Sequence, residues 1–156
     1  KNFAEINSKD VVYDLYCGAG TISIYISESS KKVYGFETIE SAIKDGEINI
    51  SINNINNVKL FTADLNKSFV GLVENNNLEK PDIIIADPPR SGMNPTTVKD
   101  IIQLAPSKIV YVSCNPATQA RDIKLLIEGG YKLIKIKPVD MFPHTYHIEN
   151  VALLTK

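Results

Sequence analysis

Four short segments carry residue types able to do chemistry, and each lies where an apolar run ends. In S-C-N-P-A-T-Q-A-R-D, residues 113–122, Cys114 separates the run K-I-V-Y-V-S from a helical segment that opens with Pro116. Proline suits the first helical turn, and the dipole and free N–H groups there favour thiolate over thiol. Cys114 is therefore the candidate nucleophile. Cys17 sits between Tyr16 and Gly18 in a glycine turn and reads as packing. In D-M-F-P-H-T-Y-H-I-E, residues 140–149, Glu149 opens an apolar run, an odd place for a carboxylate unless it faces a site. It is the candidate general base. His144, His147 and Glu149 lack the spacing of a helical H-x-x-x-H, and no further histidine exists to close a zinc site. No metal is expected.

The remaining two segments look like binding surfaces. D-L-Y-C-G-A-G, residues 14–20, turns a strand into a helix, with Gly18 and Gly20 allowing close approach of a ligand. Ser23 stands where the dinucleotide fingerprint has its third glycine, so a nucleoside with an amino-acid tail fits better than a pyrophosphate. Glu37, closing the second strand, is placed to hold ribose hydroxyls. Asp64, expected to close the third, is within reach of an adenine amino group, and Asp14 lies in register with both. In D-P-P-R-S-G-M, residues 87–93, Asp87 precedes a proline and should point out of its strand end. Pro88 and Pro89 then form a stiff wall for a flat base.

These segments need a scaffold. Candidate strands are Val11–Tyr16, Lys32–Glu37, Val58–Asp64, Asp82–Asp87, Lys108–Cys114, Tyr131–Val139 and His147–Leu154. Helical candidates lie near Gly20–Ser29, Ile39–Asn53, Thr96–Leu104 and Pro116–Glu128. Runs such as I-I-I-A suit parallel strands covered on both faces, and the alternation implies right-handed crossovers. The expected fold is α/β: a doubly wound, mostly parallel, seven-stranded sheet. Only a short link ending in P-H-T-Y separates the last two strands, too little for a crossover helix, so the last strand should run antiparallel. Ile48, Ile52 and Ile55 keep helical spacing, so the Asn-rich stretch reads as a helix end and turn.

The 156 residues suit one domain, at 44% hydrophobic and 22% charged. No stretch has the roughly 20 apolar residues that span a bilayer, and the start lacks a secretory h-region. A cytoplasmic protein with no membrane association is expected. A net charge of −1 is low for a free-standing nucleic-acid binder, whose affinity comes largely from phosphate contacts.

Taken in order, D-P-P-R, S-C-N-P-A-T and M-F-P-H-T-x-H-x-E resemble the RNA uracil-5-methyltransferase family over nearly the whole chain. The resemblance implies a Rossmann-like class I fold, S-adenosylmethionine as methyl donor and S-adenosylhomocysteine as product. It implies Cys114 as nucleophile and Glu149 as proton acceptor. Tyr16, Glu37 and Asp87 match cofactor-contacting positions, with Asp64 and Thr21 beside them. Asp87, Pro88 and Arg90 would line the substrate side. The implied partner is RNA, 23S rRNA ahead of tRNA, with no obligate protein partner. The chain is expected to be the catalytic domain of a longer protein whose upstream RNA-binding domain and a cofactor-contacting glutamine precede it. Gln119 replaces the family's usual leucine and is expected at the surface. A nicotinamide oxidoreductase would use Glu37 but leave D-P-P-R and S-C-N-P without purpose. An N-methyltransferase would carry an aromatic residue where Arg90 stands. A domain that only binds cofactor is the third alternative.

Overall fold

The computed structural model describes residues 3–141, 143–145 and 148–156. Strand β1, Val11–Leu15, is buried along its whole length and forms the middle of the sheet with β4, Ile83–Ala86. Both are short apolar runs with no polar face, as central parallel strands require. Strands β2, Lys32–Glu37, and β3, Val58–Thr62, extend the sheet on one side. On the other lie β5, Lys108–Ser113, then β7, Glu149–Thr155, and β6, Lys132–Val139, at the edge. The order is β3-β2-β1-β4-β5-β7-β6, and β7 runs antiparallel to both neighbours. The seven-stranded doubly wound sheet with an antiparallel last strand is thus present.

Side chains alternate between two covered faces, as a period of two demands. Tyr13, Leu15, Phe36, Ile84 and Tyr111 point to one side, against α4, Pro95–Leu104, and α5, Pro116–Glu128. Val12, Val33, Ile83, Ile85 and Val110 point to the other, where α1, Thr21–Ser27, contributes Ile26. Helix α2, Glu40–Ile52, packs near the glycine turn through Ile43 and Gly46. Its Ile48 and Ile52 do keep helical spacing, but they are 56% and 71% exposed. The helix ends as expected among asparagines, Asn54 adopting φ 53°.

A short helix, α3, Val70–Asn75, was not expected. Six residues including a glycine give too little periodicity to read, and only Val70 and Val73 are buried. Strand β3 stops short of the expected Asp64 because that side chain accepts the Asn66 N–H at 3.0 Å, closing an Asx turn. The proposed start of the last strand at His147 lies outside the described residues, as do Phe142 and Tyr146. Among the described residues no helix is long and apolar enough to cross a membrane.

Gly46 lets α2 lie against the turn that follows β1. A Cβ there would stand 2.4 Å from Leu60 Cδ1 and 3.2 Å from the Ala19 backbone. Gly46→Ala is expected to cost about 1–3 kcal/mol by overpacking, read as a lower urea midpoint; an unchanged midpoint would show that α2 yields freely.

Candidate active site

After Leu15 the chain bends sharply. Tyr16 takes φ 65°, and its N–H and that of Cys17 both reach the Phe36 carbonyl, at 2.9 and 3.1 Å. Gly18 and Gly20 follow at φ 53° and 76°, the left-handed region that a glycine enters without strain. A Cβ at Gly18 would meet nothing within 4 Å, so this face of the turn is open. Glu37, closing β2, is drawn to the turn: Oε2 accepts from Gly18 N at 3.0 Å. Its Oε1 accepts from Thr38 N at 2.7 Å and Ile39 N at 3.0 Å. Three N–H donors fix the carboxylate yet leave acceptor capacity, since two oxygens offer about four sites. Thr21 is exposed at the start of α1. The Tyr16 hydroxyl points to Thr97, and burial pushes its pKa up. Asp64 lies apart, exposed and 3.4 Å from Lys67, with the Asn66 N–H chiefly holding its carboxyl below the ordinary value.

Asp14 is fully buried behind the turn. Its Oδ2 accepts from the Ser23 hydroxyl at 2.6 Å, while Oδ1 has no partner. This explains the serine at the third-glycine position. Burial raises the Asp14 carboxyl from 3.8 to about 7; the Ser23 bonds pull it down and Asp87 pushes it further up.

The two cysteines separate physically. Cys17 is buried, with its Sγ where a Cβ at Gly35 would come within 2.9 Å, and burial drives its thiol far above the ordinary value. Cys114 is partly exposed, one residue past β5. Its flanks are laced together: Ser113 Oγ accepts from Asn115 N at 3.0 Å and donates to Asn115 O at 3.1 Å. Asn115 Oδ1 then caps α5 through Ala117 N at 3.1 Å.

Residues 113–122 and 87–93, read as separate segments, form one unit. Asn115 Nδ2 and Thr118 Oγ1 both donate to the Arg90 carbonyl, at 3.0 and 3.1 Å. Arg121 Nη2 donates to Ser91 O at 3.0 Å and Met93 O at 3.2 Å. The fully buried Asp122 accepts from Met93 N and the Tyr111 hydroxyl, each at 2.7 Å, and from Arg121 Nε at 2.8 Å. Gly92, at φ 80°, is required here, because a Cβ would sit 2.6 Å from Arg121 Nη2 and from Asp122 Oδ2.

The placement of Gln119 corrects the sequence expectation. It is 1% exposed, not at the surface. Gln119, Asp122, Ile123 and Leu126 are spaced i, i+3, i+4 and i+7, so all four fall on the inward face of α5. That stripe was the available signal for both polar residues, and it was masked by their polarity.

Glu149 is the first residue of β7. The β5–β7 ladder ends at the pair Ser113 with Asn150, so Cys114 and Glu149 are the residues that adjoin its last pair. Asp87 follows β4 with its side chain exposed, and Pro88 behind it is buried. Partial desolvation raises the Asp87 carboxyl, and the nearby Glu149 charge raises it further. His144 is exposed at φ 72°. Among the described residues no group of three His, Cys, Asp or Glu could hold a metal. A surface cavity of about 860 Å³ lies at the opposite, amino-terminal strand ends, lined by Tyr25, Ser30 and Asn53 among others, and contains none of these residues. The chemistry clusters instead at the carboxyl ends, where open α/β sheets bind ligands.

The fold is that of methyltransferases: a precorrin-6y C5,15-methyltransferase from Geobacter metallireducens matches with a TM-score of 0.80 at 16% identity, over 99% of this chain and 85% of that one. The family model described as tRNA (Uracil-5-)-methyltransferase matches residues 3–156, and the chain belongs to that family. It is 49% identical over its whole length to an uncharacterized RNA methyltransferase of Enterococcus faecalis, and 47% identical over 99% of its length to one of Bacteroides thetaiotaomicron. It spans 34% of each of those relatives. The Pyrococcus abyssi tRNA (uracil-54, C5)-methyltransferase, solved with S-adenosyl-L-homocysteine, matches with a TM-score of 0.82 at 37% identity, over 99% of this chain and 36% of that one.

Because the folded-state pKa of Asp14 lies above its ordinary value, the unfolded chain releases this proton first as pH rises. Its contribution to stability therefore falls between about pH 4 and the folded value of about 7. Asp14→Asn is expected to flatten the urea midpoint across that window; a profile parallel to that of the unsubstituted protein would contradict the assignment.

Proposed function

We propose that the protein methylates carbon 5 of a uridine in RNA, using S-adenosylmethionine and a covalent bond from Cys114 to carbon 6. The observation that supports this reading is the antiparallel register that pairs Ser113 with Asn150, the chain neighbours of the partly exposed Cys114 and of Glu149. The donor's pocket is the glycine turn: Gly18 faces open space, Gly20 carries the turn on into α1 at positive φ, Glu37 is fixed beside it, and Asp14 keeps one buried oxygen unpaired. Those features fit a nucleoside with a charged amino-acid tail, with Tyr16, Thr21 and Asp87 at its border and Asp64 further out. When bound, S-adenosylmethionine supplies an electrophilic methyl group for carbon 5.

The chain's own residues do the rest. Carbon 5 of uracil is a weak nucleophile. Attack of the Cys114 thiolate on carbon 6 pushes electrons through the ring to form an enolate, which makes carbon 5 reactive. Once carbon 5 is methylated, Glu149 removes its proton, and the electron pair left behind expels the thiolate from carbon 6. Pro88 and the Arg90 turn, held by Asn115 and Thr118, wall the base on one side. The uridine must leave its stack to reach this cleft.

The acceptor we propose is 23S rRNA ahead of tRNA; the relatives at 47–49% identity are described simply as RNA methyltransferases. With a net charge of −1, this chain leaves most of the phosphate grip to the remainder of the complete protein. A cytoplasmic location is proposed with it.

Complete enzyme given labelled S-adenosylmethionine should transfer label to 23S rRNA, and Cys114→Ala should abolish transfer while leaving donor binding intact. Labelling of tRNA alone would reassign the acceptor, and retained transfer would remove the nucleophile. Glu149→Gln should slow resolution, so that protein–RNA adduct survives denaturing electrophoresis; absence of adduct would count against the base.

A further inference from the structure

Gln119 does more than fill space. Its Nε2 donates to the Tyr111 carbonyl at 2.9 Å and to the Asn150 carbonyl at 3.0 Å. Its Oε1 accepts from Asn150 Nδ2. One amide therefore ties α5, the helix that follows the nucleophile, to both strands of the β5–β7 ladder. All three bonds are out of solvent, with Gln119 1% and Asn150 8% exposed. Tyr111 lies three residues before Cys114, and Asn150 is covalently next to Glu149. The ladder's last pair, Ser113 with Asn150, is the step before the two reacting residues. Beyond it the β5–β7 ladder has no further pairs, and sheet pairing holds Glu149 only from the far side, through Val139 of β6.

We propose that the Gln119–Asn150 amide pair is a positioning device for Glu149, setting the strand that bears the base against the strand and helix that bear the nucleophile. This rests on the roles given above to Cys114 and Glu149. An apolar side chain of similar size would fill the volume of Gln119 but would leave Asn150 Nδ2 and two buried carbonyls without their side-chain partner. The base would then be free to drift from the carbon-5 proton, and a misplacement of about 1 Å can cost on the order of 100-fold in rate. Neither residue borders the glycine turn, so donor binding should be indifferent to the change.

The test compares complete wild-type enzyme, Gln119→Leu, Gln119→Asn and the reciprocal swap Gln119→Asn/Asn150→Gln, which keeps the combined length of the two amides. Each is given a radiolabelled 23S rRNA transcript and S-adenosylmethionine, and adduct formation and decay are followed in single turnovers on denaturing gels. Adduct decay in Gln119→Leu should slow on the order of 10-fold or more, with donor affinity within about twofold of wild type and the swap recovering most of the lost rate. Should Gln119→Leu fail to fold, Gln119→Asn is read by the same criteria. Decay unchanged despite a lowered melting temperature would overturn the proposal, showing the pair to be structural only. So would equal losses in formation and decay. If Glu149→Gln forms no adduct, or Cys114→Ala stays active, the underlying reading fails first, and visibly, in lanes that do not involve Gln119.

Discussion

The register of β7 against β5 is the constraint on which the candidate site depends. Cys114 and Glu149 are far apart in the chain, and their neighbours Ser113 and Asn150 pair because the last strand folds back antiparallel between β5 and β6. Ala152 and Leu154 are fully buried in the sheet face that packs on the helices. A slip of one residue would turn that pair to the other face, so hydrophobic burial itself enforces the pairing. Burial of a side chain of this kind is worth about 1.5–3 kcal/mol. The sheet's stability and the site's geometry thus rest on one alignment.

Around that alignment the scaffold is polar and buried. Asp122 collects three donors from a loop, a strand and its own helix, and Arg121 and Asn115 add bonds to the same loop. A fully satisfied network in a low dielectric is stiff, and removing one member leaves costly orphans. The consequence is a loop, 90–93, whose backbone is bonded to the start of the helix that follows Cys114. Gly92 belongs to this arrangement as much as the charged residues do, because its bare Cα admits Arg121 and Asp122.

Much of this was legible beforehand. Uninterrupted apolar runs announce central strands, and the link 140–148 before the last strand is too short for a crossover helix, which dictates its direction. Glu37, at its strand end, bonds the Gly18 N–H of the glycine turn. What escaped had physical causes. Helix α3 is too short to show a period. Asp64 falls beyond its strand because its own side chain closes the turn. Gln119 was assigned to the surface by its polarity, although its spacing from Ile123 and Leu126 places it inward. The bonds that join the 87–93 and 113–122 segments depend on side chains reaching across the fold, which spacing along a chain cannot express.

The central claim is that one sulfur adds to the ring and one carboxylate must later strip a proton from carbon 5. Fluorine in place of that proton cannot be removed as a cation, so a substrate carrying it should stop the reaction after methyl transfer. Complete enzyme incubated with S-adenosylmethionine and RNA containing 5-fluorouridine, then digested and weighed by mass spectrometry, tests this directly. The account predicts a methylated fluorouridine bonded to the peptide that contains Cys114. An adduct on any other residue, or none at all from enzyme that turns over ordinary RNA, would contradict it.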